Sequence, residues 1–499
     1  MMQLPHPLQS AALGVGDHCL LEAGGQAWSA VELRNQVAQL AGWLQPQLRE
    51  PAGPGGDGAS ADAVDAPNPL APVGLYGPAS ADWILGLHAL GWLGAAVLPL
   101  PTGLPQAAWA HTLAAAQAQG VQQIWYTSGA SPPPLPAGAS LSLHALPAAQ
   151  VLRALGGPAA PERFWPLEEL RLIVLSSGTT GPRRPIGLHT GQLCFNAFGS
   201  AMRLGHLPTD RWLNCLPLHH VGGLSIAFRT LWAGTTQVLH TGFDVGAVNA
   251  ALDSGQISQV SLVPQMLARL LEGRGGSPFP ATLRMVLLGG AAASEALFAQ
   301  ARAARVPVAC SWGMSETASQ VATTQPGDWR QTADCGPPLA FARIDVGPHS
   351  GQLRVRGPVA AGGQIDSADR GDVDAAGRLQ IGGRLDDLII SGGENISPEE
   401  VEAVLLQHPA VAAAAVVGRP DARWGQRPVA YLVARAPPLP ASLAAPAPAS
   451  PTAGVAASDA ALQAHCRSQL PGFKVPDAFF WRADLPRTEL GKLRRRALR

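Results

Sequence analysis

Short apolar runs alternate with longer stretches of helical periodicity along most of the chain. Ile257–Val263 leads into Pro264–Glu272, and Arg284–Leu288 leads into Ser294–Ala304. The short runs are aliphatic and bounded by turn residues, whereas the longer ones space their apolar positions as helices do. Strands feeding helices are predicted, and their repetition predicts an α/β fold of layered sheets and helices. The longest apolar stretch, Trp83–Leu98, carries His88 and several small residues. It falls short of the roughly 20 residues that a membrane-spanning helix needs, and predicts a buried helix running into a strand.

The last hundred residues have a different pattern. Glu399–Gln407 is amphipathic and opens on Ser397-Pro398, a good N-cap and first-turn pair. Val411–Val417 and Val429–Ala434 predict strands, and Ala460–Gln469 a helix. These elements predict a compact βαββα-like unit, a small α+β domain beginning near Arg384–Leu388. Pro51–Pro72, Ser131–Gly138 and Ala436–Ala457 are rich in Ala, Pro and Gly. They hold too little apolar surface to offset the entropy of ordering, so mobile surface insertions are expected there.

A chain of 499 residues has room for more than one domain. Its 35 basic residues balance 35 acidic ones, and no basic stripe supports nucleic-acid binding. The tail Lys492-Leu493-Arg494-Arg495-Arg496 is the one basic run. Such a run is usually a solvated end, occasionally an anion contact. Six scattered cysteines without a C-x-x-C pair argue against a zinc site or a disulfide framework. The first residues lack the pattern of a secretory signal. A soluble, cytoplasmic protein without stable membrane insertion is expected, and self-association is left open.

Candidate chemistry begins where Ile173–Leu175, the end of an apolar strand, meets Ser176-Ser177-Gly178-Thr179-Thr180-Gly181. Two glycines and four hydroxyl side chains suit a loop whose backbone N–H groups and hydroxyls surround phosphate oxygens. A mobile surface loop is the plain alternative. No Gly-Lys-Ser/Thr follows, so this is not a Walker A motif. Further clusters are Leu216–Leu224, which places His219 and His220 between a strand and a glycine turn, and Leu287–Ala291, which ends a strand in small residues that a flat ring could approach closely. Ser311–Thr317, Gly371-Asp372, Gly383–Asp387, Ser391–Ile396 and Pro486–Lys492 complete the set. Singly, each has an ordinary structural explanation.

In this order, the clusters resemble the acyl-adenylate-forming superfamily of acyl-CoA ligases, luciferases and peptide-synthetase adenylation domains. The resemblance covers roughly residues 75–435 and the C-terminal tail. It implies an N-terminal domain over 1–385 that binds acyl substrate and ATP. A mobile C-terminal domain over 386–499 would carry the catalytic lysine, Lys492. ATP, Mg²⁺ and CoA are the implied cofactor and co-substrates. By resemblance, Ser176–Gly181 and Arg184 would hold the β- and γ-phosphates, Ser315 the α-phosphate, and Glu316 the metal. Trp312 and Gly313, with Gly290 and Ala291, would take the adenine, and Asp372 and Arg384 the ribose. His220 would gate the acyl pocket beside Gly289. Asp386 would be the hinge, and Gly392 and Gly393 would line the pantetheine tunnel.

One departure stands out. The family usually reads Gly-x-Pro-Lys-Gly after the phosphate loop, whereas this chain reads Gly181-Pro182-Arg183-Arg184-Pro185. Arg184 keeps the charge without lysine's geometry, and Pro185 removes a donor. Within the superfamily, the local wording resembles the o-succinylbenzoate–CoA ligases of menaquinone and phylloquinone biosynthesis. Trp312–Gln320 and Trp424–Pro428 carry much of that likeness. Their substrate has a second carboxylate that must be held unreacted, which calls for a fixed cation. Arg229 stands where the family places one, although a surface helix arginine is the plain alternative. Another aryl- or medium-chain acyl-CoA ligase, or a non-catalytic nucleotide-binding regulator, stays open.

Overall fold

A computed structural model of the chain describes residues 2–48, 70–136, 138–155, 158–176, 184–328, 334–435, 457–488 and 491–498. The chain divides into two compact units. The first comprises Met1–Ile344, Val355–Ile365 and Ala376–Arg378, and the second Asp345–Arg354, Asp366–Ala375 and Leu379–Arg499.

The first unit is built on two sheets. A six-stranded sheet has the order 185–189, 170–175, 97–100, 73–76, 123–126, 142–145. It is parallel except for the hairpin of Leu170–Leu175 with the edge strand Pro185–His189. An eight-stranded sheet has the order 319–323, 308–314, 285–288, 259–262, 211–214, 236–239, 19–23, 26–29. Its central strands are parallel, with an antiparallel pair at each edge. One core joins Leu20 and Leu21 of the larger sheet to Val73, Val97, Leu172 and Val174 of the smaller. The helices Ala30–Leu44, Ala81–Leu93 and Val221–Ala233 supply much of the rest of that core. The expected α/β layering is thus observed.

Local signals explain these helices. Ala30–Leu44 begins in a reciprocal cap: the Glu32 N–H donates to Ser29 Oγ at 3.2 Å, and the Ser29 N–H to Glu32 Oε2 at 2.9 Å. Ala81–Leu93 is capped by Ser80 and ends at Gly94, whose φ of 87° suits glycine. Trp83 to Trp92 are buried without interruption, which accounts for the long apolar run. On the other face of the larger sheet, helices Val245–Asp253, Pro264–Arg274 and Glu295–Ala303 cover Leu213, Val260, Val286 and Val308.

The second unit has a sheet of strands 394–396, 389–391, 425–434 and 411–421, with Phe479–Arg482 parallel to Gly425–Ala434. Helices Pro398–Leu405 and Asp459–Arg467 pack on it through Val401, Leu405, Leu462 and Cys466. The unit therefore has more strands than the expected βαββα pattern. A four-stranded sheet has the order 343–346, 352–356, 364–373, 379–384.

Three local expectations are corrected. Ser397 occupies the N-cap position, yet its hydroxyl donates to the Gly382 carbonyl at 3.2 Å and meets Glu399 Oε2 at 2.9 Å. Gly222 and Gly223 open the helix Val221–Ala233 rather than form a turn. A Cβ at Gly223 would lie 2.6 Å from the Pro217 carbonyl oxygen, so close approach explains the glycine. In the proline-rich segment, Trp109 Nε1 donates to the Pro134 carbonyl at 2.6 Å and Pro133 is buried. Most of the other two predicted insertions lies outside the described residues.

The core also holds uncharged histidines. His6 and His88 are buried, and His6 packs against Trp92 and Trp165 with ring centroids 4.7 and 4.5 Å away. Burial lowers the pKa of His88 from 6.5 to about 4, and burial followed by the His88 and Arg171 charges depresses His6. Protons therefore bind the unfolded chain better than the folded one. Stability should be full above pH 6.5 and fall as pH drops towards 4. His88 alone should account for a loss on the order of 3 kcal/mol. Urea unfolding at a series of pH values measures this, and His88→Gln should flatten the slope.

Candidate active site

Strand order brings the predicted residues of the first unit to one edge. Val308–Met314, Met285–Leu288, Gln259–Leu262 and Arg211–Asn214 are parallel neighbours, so their carboxyl ends open together. Ligands bind along such edges in sheets of this kind. His219 and His220 follow Asn214, with ring centroids 4.3 Å apart, and His220 precedes the helix Val221–Ala233. Gly289, Gly290 and Ala291 follow Leu288. Trp312 and Gly313 end the strand that leads to Ser315 and Glu316.

Close packing explains the glycines there. A Cβ at Gly289 would come 2.6 Å from Ser311 Oγ, and one at Gly313 would come 1.8 Å from the Ser319 carbonyl oxygen. Gly290 has a φ of 81°. Trp312 is buried, with 7% of its surface exposed. Ser315–Thr317 forms one 3₁₀ turn, closed by Ala318 and Ser319 at φ of 56° and 122°. Thr317 Oγ1 accepts the Met314 N–H at 3.2 Å and lies 3.0 Å from the Met314 carbonyl oxygen. This strained turn presents Ser315 and Glu316 half-buried.

A helix behind the turn holds it in place. On Thr190–Leu204, Gln192 Nε2 donates to the carbonyls of Glu316 and Val359 at 3.1 and 3.2 Å. Four residues on, Asn196 Nδ2 donates to the carbonyls of Thr317 and Gln320 at 3.1 and 2.7 Å. Asn196 Oδ1 accepts from Arg229 Nη2 at 2.8 Å. Arg229 is buried, 2% exposed, with its guanidinium 5.9 Å from the Trp212 ring centroid. Among the described residues no carboxylate pairs with it, and its Nε has no hydrogen-bond partner. Burial lowers its pKa to about 9, which leaves it charged at neutral pH. The surface-arginine alternative is therefore excluded.

Of the predicted phosphate loop, the described residues include only Ser176 and Arg184. The Ser176 N–H donates to the Arg184 carbonyl at 2.8 Å, and the Arg184 N–H to Ser176 Oγ at 3.2 Å. Ser177, Gly178, Thr179, Thr180 and Gly181 lie outside the described residues. Pro185 begins an edge strand, where a missing N–H is tolerated.

In the second unit, Arg384 grips Asp386 with both arms at 2.9 and 3.0 Å and reaches Asp369 at 3.2 Å. Burial opposes the Arg384 charge, but hydrogen bonding to Asp386 and the Asp369 charge outweigh it and raise the pKa. Lys492 shares this neighbourhood. Burial, then the Arg384 charge, lowers its pKa against the pull of Asp369, Asp387 and Asp386. Its backbone is fixed by a turn in which the Thr488 N–H donates to the Lys492 carbonyl at 2.8 Å. Asp372 is exposed and accepts from the Val373 N–H. Gly392 and Gly393, at φ of 60° and 87°, form a two-residue hairpin turn, which by itself calls for glycine. Gly392 also packs against Trp424: a Cβ there would come 2.6 Å from the indole. Trp424 is 41% exposed, and the Arg423 guanidinium lies 5.0 Å from its ring centroid.

Among the described residues there is no group of three or more His, Cys, Asp or Glu side chains that could hold a metal by itself. A magnesium ion carried by phosphates needs only one or two protein carboxylates and keeps several waters. Glu316 suits that demand, since among the described residues its carboxylate makes no ion pair. No helix among the described residues is long and apolar enough to cross a membrane.

The first unit thus gathers the predicted residues 219–220, 289–291 and 312–316 at the carboxyl ends of parallel strands. Residues 67–365 match the AMP-binding enzyme model, and 400–492 match the AMP-binding enzyme C-terminal domain. The chain belongs to the AMP-binding enzyme family. A 2-succinylbenzoate–CoA ligase from Geobacillus kaustophilus is 36% identical over 357 residues, covering 67% of this chain and 69% of that protein. The o-succinylbenzoate CoA synthetase of Bacillus subtilis, in complex with the acyl-adenylate intermediate, is similar with a TM-score of 0.82 and 28% identity. That match covers 100% of this chain and 99% of the other. The same enzyme with ATP and magnesium ion matches with a TM-score of 0.81 and 28% identity, covering 100% of both chains.

Sequence reading missed Gln192 and Asn196, which stand in a helix with no motif around them. It also missed the role of the basic tail. Arg495 reaches Asp387 at 3.0 Å, Glu399 at 2.9 Å and the buried Glu402 at 2.8 Å. Burial of the Arg495 guanidinium is more than offset by Glu402 and Glu399, which hold its proton firmly. Removing it would leave carboxylates buried without a counter-charge. Arg495→Ala should destabilise the second unit by roughly 3–5 kcal/mol, measured as an earlier urea transition. Arg495→Lys should recover only part, because lysine lacks the planar fork.

Proposed function

We propose that the protein is an AMP-forming acid–CoA ligase that activates o-succinylbenzoate with ATP and passes the acyl group to CoA in menaquinone biosynthesis. The observation that carries the substrate reading is Arg229. A buried guanidinium without a carboxylate partner is costly, and an anionic ligand would relieve that cost. An aromatic acid with two carboxylates supplies one anion for Arg229 and keeps the other for reaction.

In the first step, a carboxylate oxygen attacks the α-phosphorus, and pyrophosphate leaves with the bonding electron pair. Both reactants are anions, so screening and alignment limit the rate. Ser315 would donate to the α-phosphate from its turn, and His220 would orient the carboxylate. Arg184 and the Ser176–Gly181 loop would bind the outgoing phosphates. Mg²⁺, held by Glu316, would neutralise phosphate charge. Trp312 and Gly313, with Gly289, Gly290 and Ala291, would form the walls that receive the adenine and the acyl group.

Lys492 would bridge carboxylate and phosphate. It belongs to the part of the chain after the proposed hinge, Asp386, over residues 386–499. Asp372 and Arg384 would hold the ribose. For the second step that part would rotate and withdraw Lys492, so that the CoA thiolate attacks the acyl carbon and AMP leaves. Gly392 and Gly393 would guide the pantetheine arm, and the exposed Trp424 with Arg423 offers a ring and a cation to the nucleotide of CoA.

Lys492→Ala should nearly abolish adenylation, read as pyrophosphate exchange, and largely spare thioester formation from a supplied acyl-adenylate. Equal loss in both half-reactions contradicts the alternation. Arg229→Ala should raise KM for o-succinylbenzoate by about 10- to 100-fold, the worth of a lost charge-assisted contact. An unchanged KM overturns the substrate assignment.

A further inference from the structure

We propose that Asn196 is a positioning and specificity residue that keeps the Arg229 charge available and ties it to the nucleotide-binding turn. The inference rests on the reading of Arg229 as the receptor for the second carboxylate.

A carboxamide has two N–H donors and one oxygen. Both Asn196 hydrogens are committed, to the carbonyls of Thr317 and Gln320 at 3.1 and 2.7 Å. The oxygen is therefore forced towards Arg229, which it meets at 2.8 Å. The flipped amide would set an NH₂ group against a guanidinium and leave two carbonyls without donors. Asn196 is 2% exposed, so water does not compensate for that loss. One helical turn earlier, Gln192 makes the same kind of contact with Glu316 and Val359, which anchors this helix face to the backbone of the turn.

The neutrality of Asn196 matters as much as its geometry. Aspartate has nearly the same shape, but it would pair with Arg229 and supply within the protein the anion that the substrate otherwise brings. It would also lose both donors to the turn. Asparagine orients the guanidinium without discharging it. The same side chain touches the receptor for the substrate's idle carboxylate and the turn that carries Ser315 and Glu316. Filling the receptor and ordering the phosphate-binding turn thus depend on one amide.

The test compares o-succinylbenzoate with 4-oxo-4-phenylbutanoate, which lacks the ring carboxylate, in the full-length enzyme with ATP, Mg²⁺ and CoA. Wild type should prefer the dicarboxylate by about 100-fold in kcat/KM, the worth of a buried charge-assisted pair. Asn196→Asp should bring the ratio to near unity through the KM for the dicarboxylate. Asn196→Ala keeps the charge but loosens it, and should cut the preference roughly tenfold while raising KM for ATP. Arg229→Ala should abolish the preference for the dicarboxylate, and thermal melts establish that each variant is folded. Equal losses with both acids in Asn196→Ala, or a preference retained in Asn196→Asp, overturn the role of Asn196 alone. No preference in wild type overturns the reading of Arg229, and this inference with it.

Discussion

A charge buried without a counter-charge among the described residues places a strong demand on the first unit. Arg229 sits on a helix packed into the main core, against Trp212, and its described polar partner is an amide. Removing an ion from water costs several kcal/mol unless something nearby repays it. The helix that carries it, the asparagine that orients it and the indole of Trp212 all bear on that one position. An apolar residue would pack there at less cost. The expense makes sense when the guanidinium is regarded as half of a pair whose other half is a ligand.

The second unit treats charge in the opposite way. Arg495 is shared among Asp387, Glu399 and Glu402, and Arg384 between Asp386 and Asp369. Here cations and anions are matched within the protein, and Lys492 is the cation whose surroundings depress its pKa. A matched frame with one unsettled lysine suits a group that must reach for a transient negative charge. Hydrogen bonds between Thr488 and the Lys492 backbone hold the residue in place, and the ammonium is the responsive part.

Much of this was legible in the sequence, for identifiable reasons. The period of apolar residues predicted Pro264–Arg274 and Glu295–Ala303 nearly to the residue, because both helices have one face in the core. The small residues at 289–291 announced close approach, which is a local demand that sequence records directly. Gln192 and Asn196 left no such mark. Their partners are backbone carbonyls more than a hundred positions away, and a carbonyl is the same in every residue. Ser397 misled for a related reason: its hydroxyl had a competing acceptor, Gly382, that only the fold supplies. The basic tail read as solvent-facing because the acids that receive Arg495 lie about a hundred residues upstream, scattered along a loop and a helix.

That separation has a consequence for how the protein is made. Asn196 and the Gln320 carbonyl are 124 residues apart in the chain. At translation rates of about 5–20 residues per second, roughly 6–25 s pass between synthesis of the asparagine and synthesis of its acceptor. Through that interval the helix Thr190–Leu204 must wait with a polar face that later becomes interior. The nascent chain thus carries an unfinished surface for seconds, with the amides of Gln192 and Asn196 bonded to water until the acceptors that will bury them have been made.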